Sequence, residues 1–374
     1  MNGAFKAPLR VSVILLSYKN TEYLKNCLDS IFAQTYENIE VICTNDGCDN
    51  FYVHNVHKYI SLNKSDNITN FIVNKNEKNF GTVKHCNVAL EMATGDYIMF
   101  ISCDDEYNNA NSIKDMVEGF CKAEPDVESI VGQAQMMCGN LDKAEHLFVA
   151  PCTAEAINTL SPMELYKNYL VKRCTLPAGA IIYKRCIFDK YGKFDETFFL
   201  IEDWSLAISH ARQGMRSYFL DILCLNHRKG GISSSGLKSN NFAHKMYLKD
   251  HVTLRMMIAE DTENLDNITL DQINQTLAWY YFTYITLFNE KIERIANDVS
   301  FETKLINFDN QKEFFPEPGC KVAIFGYGIQ GKKVFDVYQN QMQIVCFSDN
   351  NEMSWGGYTI KPRLFPQTNF TKSA

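Results

Sequence analysis

The sequence predicts an α/β fold: a doubly wound mixed sheet with helices on both faces, then a helical segment, then a small βαβ module. Three observations carry this. Continuous apolar runs alternate with helix-period segments from residue 11 to about residue 101. Helical periodicity alone dominates from residue 240 to about 318. Beyond the linker signal FFPEPG at 314–319, a strand, a glycine turn, a helix and a second strand follow. The expected division is therefore 1–239, 240–318 and 319–374.

The first run, VSVILL at 11–16, is apolar at nearly every position, as in a strand buried on both faces of a parallel sheet. Leu24, Cys27, Leu28, Ile31 and Phe32 then share one helical face, with Thr21 as a plausible start. A second strand at 39–43 ends in the turn NDG at 45–47, and a third is expected at 70–74. A helix lies between Phe80 and Gly95, and the strand after it delivers the acidic pair Asp104-Asp105. A second acidic pair, Glu202-Asp203, opens the helical segment 204–214. Ligands of such sheets bind beyond the carboxyl ends of the strands, where Ser17, Tyr18, Asp46, Asp104 and Asp105 fall.

Composition bounds the function. The net charge of −7 argues against a surface that tracks nucleic-acid phosphates. Thirteen cysteines, an odd number with no C-x-x-C spacing, read as reduced thiols of a cytoplasmic protein rather than as a disulfide framework. No signal-peptide pattern opens the chain. The aromatic run at 277–288 is 12 residues long, short of the roughly 20 needed to span a bilayer, so it reads as a buried helix. Its aromatics leave a peripheral membrane contact open.

Adjacent carboxylates repel, so a pair set right after an apolar strand needs a counter-charge. A divalent cation with a diphosphate is the obvious one. The second pair offers a carboxylate able to take a proton from an acceptor hydroxyl. Together they read as group transfer from a nucleotide-activated donor.

Eight motifs appear in order: SVILLSY (12–18), SIFAQTY (30–36), NDG (45–47), NFG (79–81), GDYI (95–98), Asp104-Asp105, GKFDE (192–196) and Glu202-Asp203. On these, residues 11–235 resemble the family 2 glycosyltransferases, inverting sugar transferases with a GT-A fold. The resemblance implies a metal-dependent transferase using a nucleotide-sugar donor, Mn²⁺ or Mg²⁺, and a glycan or lipid-linked glycan acceptor. The setting it suggests is bacterial surface polysaccharide synthesis, at the cytoplasmic face of the membrane. It assigns Ser17, Tyr18 and Asp46 to the nucleoside, Asp104 to ribose or metal, and Asp105 to the metal. Asp203 becomes the general base with Glu202 beside it. His227, Arg228 and Ser233, in the loop HRKGGISSS at 227–235, become diphosphate contacts, and Gly179 an acceptor-side position. Two departures stand out: Asn45 replaces an acid in the first turn, and Ser102 replaces an acid before Asp104.

Rival readings are a sugar nucleotidyltransferase and an inactive nucleotide-sensing scaffold. The first wants a glycine-rich loop after the first strand, which SYKN at 17–20 lacks; intact Asp104, Asp105 and Asp203 oppose the second. The turn GYGIQG at 326–331 follows a strand and precedes a helix, as in dinucleotide-binding folds, with Asp349 about 20 residues on. One Rossmann-like βαβ unit is half of such a site, so a structural or dimerising role is expected.

Overall fold

The computed structural model describes residues 8–19, 21–172, 176–230, 241–288, 321–325 and 343–348. The chain divides into two compact units, Met1–Asp250 and His251–Ala374.

In the first unit β1 (Val11–Ser17), α1 (Leu24–Phe32), β2 (Ile39–Asn45), α2 (Val53–Asn63), β3 (Ile68–Lys75), α3 (Thr82–Met92) and β4 (Tyr97–Ser102) alternate as expected. The short β5 (Glu106–Tyr107), α4 (Ser112–Lys122), the hairpin β6 (Ser129–Cys138) and β7 (Lys143–Leu147), α5 (Pro151–Thr159) and α6 (Pro162–Lys172) follow. β8 (Ile181–Lys184), α7 (Ile187–Lys190), α8 (Glu202–Arg212) and β9 (Ser217–Arg228) complete the sheet.

The sheet order is β3-β2-β1-β4-β8-β6-β9-β5, with β7 on β6. The four strands from β3 to β4 are parallel. β8 then runs antiparallel to both β4 and β6, so the sheet is mixed. The chain leaves β1 toward β2 and β3, then returns to the other side of β1 as β4. That reversal opens a crevice at the carboxyl ends of β1, β2 and β4, where ligands of open α/β sheets bind.

Every residue of β2 is buried, including the polar Glu40, Thr44 and Asn45. Its one acid, Glu40, is fully buried and accepts from Ser12 Oγ, Thr94 N–H, Thr94 Oγ1 and Asn70 Nδ2. Burial alone would raise this carboxyl, but the donors outweigh it and hold it below the usual range. Glu40 thus ties β1, β2 and β3 to the turn before β4, at the sheet end remote from the crevice. α1 buries the five side chains its periodicity predicted, each worth about 1.5–3 kcal/mol for a large aliphatic.

In the second unit, α9 (Phe242–Ala259), which begins in the first, continues, and α10 (Asn267–Phe288) contains the aromatic run. No helix among the described residues is long and apolar enough to cross a membrane. β10 (Lys321–Phe325) and β11 (Gln343–Ser348) pair in parallel, as the tail pattern predicts. The glycine turn 326–331, the helix expected after it, Asp349 and Ser233 lie outside the described residues.

Candidate active site

Three strand ends meet at the crevice. In β1–β2 register Ser17 faces Asn45, and in β1–β4 register Leu16 faces Ser102. Cys103 N–H donates to Leu16 O at 2.9 Å and Asp46 N–H to Ser17 O at 3.0 Å, so Tyr18, Asp46 and Asp104 emerge side by side.

Their roles differ from one another. Ser17 is 3% exposed; its hydroxyl donates to Thr44 O at 3.1 Å and accepts Asn45 Nδ2 at 3.0 Å. It braces the two strands. Asn45, where the resemblance leads one to expect an acid, serves that brace and also receives Cys48 N–H on its Oδ1. Tyr18 is half-buried, and its hydroxyl accepts from Asn79 Nδ2 at 2.8 Å.

Asp46 is buried and holds the loop before α3: Asn76 Nδ2, Phe80 N–H and Gly81 N–H make four contacts of 2.9–3.1 Å to its two oxygens. These fill the acceptor sites of a carboxylate. Any further donor would have to displace one, so Asp46 fastens the loop before α3.

Asp104 and Asp105 separate sharply. Asp104 is half-exposed, with its Oδ1 accepting from Ser102 Oγ. Asp105 is 3% exposed; Oδ2 meets His227 Nδ1 at 2.9 Å and Oδ1 accepts Arg228 N–H at 2.9 Å. Burial pushes the Asp105 carboxyl up while His227 pulls against it, and Asp105 in turn raises His227 against its own burial. Asp105 thus ties the turn between β4 and β5 to the end of β9, and Asp104 is the more exposed acid of the pair.

Arg228 is also held by protein groups. It is 5% exposed and stacks on Tyr23, the guanidinium carbon 3.5 Å from the ring centroid. Nε donates to Asp104 O at 3.0 Å, one terminal nitrogen to Gly139 O at 2.7 Å, and the other lies 3.6 Å from Glu106. It clamps the Asp104 backbone and the β6–β7 turn. His227 keeps partial exposure, its ring packed edge-on against Phe148.

Gly179 sits in the short turn before β8 and is buried; a Cβ there would lie 2.7 Å from Leu225 Cδ2. Packing on Leu225 of β9 accounts for the glycine.

Glu202 and Asp203 form the first turn of α8, with Asp203 Oδ1 accepting Trp204 N–H at 2.6 Å. Ile201, not either acid, is the cap. Both carboxyls are raised, chiefly by burial and, for Glu202, then by Asp203 and Asp250. Their distance from Asp46 in sequence closes through α3. Burial first, and then the charges of Glu202, Asp203 and Asp46, push up the Cys86 thiol. Val83 N–H also donates to Phe199 O, three residues before Glu202.

Asp250 is a site residue that sequence reasoning missed. Its Oδ2 accepts Phe199 N–H at 2.8 Å and Leu200 N–H at 2.6 Å. The available signal was an acid four residues from Met246 on one side and from Leu254 on the other, on the apolar line of a helical run.

Among the described residues no group of three or more His, Cys, Asp or Glu side chains surrounds a common metal position. A hard cation that shares its shell with a diphosphate and waters needs only one or two protein oxygens, and the outward carboxylate of Asp104 fits that need.

A curled mixed sheet with parallel strands ending in a polar crevice, flanked by two acidic pairs, defines a GT-A type fold. Residues 12–192 match the model of the family described as Glycosyl transferase family 2. An uncharacterized glycosyltransferase of Rickettsia typhi is 29% identical over 208 residues, 54% of this chain and 58% of that protein. One of Rickettsia felis is 30% identical over 200 residues, 52% of this chain and 30% of its own length. The chain thus spans only part of the curated relatives it matches. The structure of S. aureus TarS 1–349 in complex with UDP-GlcNAc superposes with a TM-score of 0.51 at 20% identity, covering 79% of this chain and 77% of that one. That likeness is one of fold.

Proposed function

We propose that the chain is a metal-dependent inverting glycosyltransferase, moving a sugar from a nucleotide diphosphate donor to a hydroxyl of a glycan or lipid-linked glycan. The single observation that carries this is the division of labour between its acids. Asp104 is the more exposed acid of its pair, Asp105 is taken up by His227 and Arg228, and Glu202-Asp203 carry a raised affinity for a proton.

In this reading Tyr18 and the Asp46-held loop form the nucleoside wall, and His227 lies beside Asp104 at the diphosphate. Mn²⁺ or Mg²⁺, held by Asp104, would supply neutralisation of the departing diphosphate's charge. Asp203 accepts the proton of the acceptor hydroxyl as that oxygen bonds the anomeric carbon and the carbon–oxygen bond to the diphosphate breaks. The attack comes from the face opposite the leaving group, so configuration inverts. A carboxyl lifted above its ordinary value is the better base near neutrality, because catalytic efficiency peaks when the pKa approaches the working pH. A peripheral membrane contact, a homodimer and a role in capsule or lipopolysaccharide synthesis belong to the same reading.

The test is incubation with UDP-, GDP-, CDP- and dTDP-sugars and Mn²⁺, following release of nucleoside diphosphate. Release from one donor class, lost with EDTA and in Asp203→Asn, is the expected result. No release from any donor with a range of acceptors, from protein shown to be folded, would remove the proposal.

A further inference from the structure

We infer that Asp250 is a positioning residue for Glu202-Asp203: its buried carboxylate holds the backbone from which α8 starts. The inference rests on the reading of Asp203 as general base.

The segment that leads into the pair is gripped from both sides at one residue. From α9, one oxygen of Asp250 takes two consecutive N–H groups, those of Phe199 and Leu200. From α3, Val83 N–H donates to Phe199 O at 3.3 Å, and the Phe199 ring fills the space beside Gly81, where a Cβ would lie 2.6 Å from it. Upstream, Asn87 fixes the same segment by donating to Phe194 O at 2.8 Å and accepting Phe194 N–H at 3.1 Å. Asn87 and Val83 belong to the helix whose N-terminus Asp46 holds, so nucleoside wall and base share one support. Asp250 is the part of that support that comes from outside the strand–helix core.

Asp250 is 3% exposed and is bonded to backbone alone among the described contacts, so it acts through the segment rather than on substrate. The charged groups that face it are Glu202 from α8 and Lys249 on its own helix. A displacement of about 1 Å at a base can cost on the order of a hundredfold in rate, which is the scale of effect that loss of this grip would bring.

The experiment measures kcat, donor KM and the pH–rate profile for Asp250→Ala and Asp250→Asn, with Asp203→Asn alongside and melting temperature as the fold control. Asp250→Ala is expected to lower kcat by about tenfold or more with donor KM changed by less than about threefold. Asp250→Asn keeps an oxygen for both N–H groups, so kcat stays within about threefold of wild type. A folded Asp250→Ala with unchanged kcat overturns the inference. Where Asp250→Ala does not fold, a folded Asp250→Asn whose kcat falls by about tenfold or more overturns it, because the amide oxygen keeps both N–H groups. Turnover by Asp203→Asn within about threefold of wild type removes the base assignment, and this inference with it.

Discussion

Asp104 and Asp105 are adjacent and chemically alike, yet burial sends them to different work. Asp104→Ala is expected to weaken Mn²⁺-dependent binding of the nucleoside diphosphate by about tenfold or more while leaving the melting temperature near wild type. Calorimetry with and without EDTA measures this, and equal loss in both would count against a metal at Asp104. Asp203→Asn is expected to keep donor affinity and lose about 10²–10⁴ in turnover, since an amide cannot take the proton. Because burial raises the pair, activity should climb with pH only above the ordinary carboxylate range. Asp250 adds a signature in stability. Burial lifts its carboxyl to about 6, so between about pH 4 and about pH 6 the folded state keeps a proton the unfolded chain has lost. That contribution to stability is full below about pH 4 and fades as pH rises through about 6, by an upper bound of about 3 kcal/mol. Asp250→Asn should flatten that slope in denaturant titrations at a series of pH values.

At the scale of elements, the site is made by ends of strands and starts of helices, and what holds those ends decides the geometry. The tie through Asp105 from the β4–β5 turn to the end of β9 is one such hold. Asp105→Ala leaves the His227 Nδ1 and the buried Arg228 N–H without their acceptor, at a cost of about 1–3 kcal/mol. The expected outcome is a lowered melting temperature first and weakened nucleotide binding second, the reverse of Asp104→Ala. Gly81 is another. It sits at φ +85° where α3 begins, and a Cβ there would meet the Phe199 ring at 2.6 Å and Phe199 O at 2.7 Å. Gly81→Ala therefore both strains the backbone and pushes the segment before Glu202, and should lose about 1–3 kcal/mol of stability together with turnover. A variant as stable as wild type would show that the segment yields to the added methyl.

At the scale of the whole molecule, every residue of the candidate site in the described structure belongs to the first unit, Met1–Asp250. A chain shortened before Gly319 is therefore expected to release nucleoside diphosphate with the same dependence on Asp104 and Asp203, while its stability or its mass by light scattering changes. The second change follows from the paired strands β10 and β11, a two-stranded sheet with open edges that needs cover. A folded, unchanged-mass variant without activity would instead point to a nucleotide at the glycine turn.

Period and position alone made much of this legible. The apolar face of α1, the alternation from β1 to β4 and the placing of Tyr18, Asp46, Asp104 and Glu202-Asp203 at element ends all follow from spacing, because helix and strand periods are local properties. Which acid of each pair is free was not legible. Asp105 and Arg228 read as ligand-binding groups because their types suit metal and phosphate; spacing did not show that β5 pairs with β9, over 100 residues on, and so sets Arg228 N–H on Asp105. Gly179 read as an acceptor position until Leu225 filled its side. Asp250 could not be connected with the base at all, since a helix far along the chain had to fold back onto residues 199 and 200. The sequence by itself determined the elements and the chemistry available at their ends; the tertiary structure decided which of those groups are spent on holding the site and which remain to act. The physical reason is that a polar group's role depends on what fills its hydrogen bonds once water is excluded, and those partners are long-range.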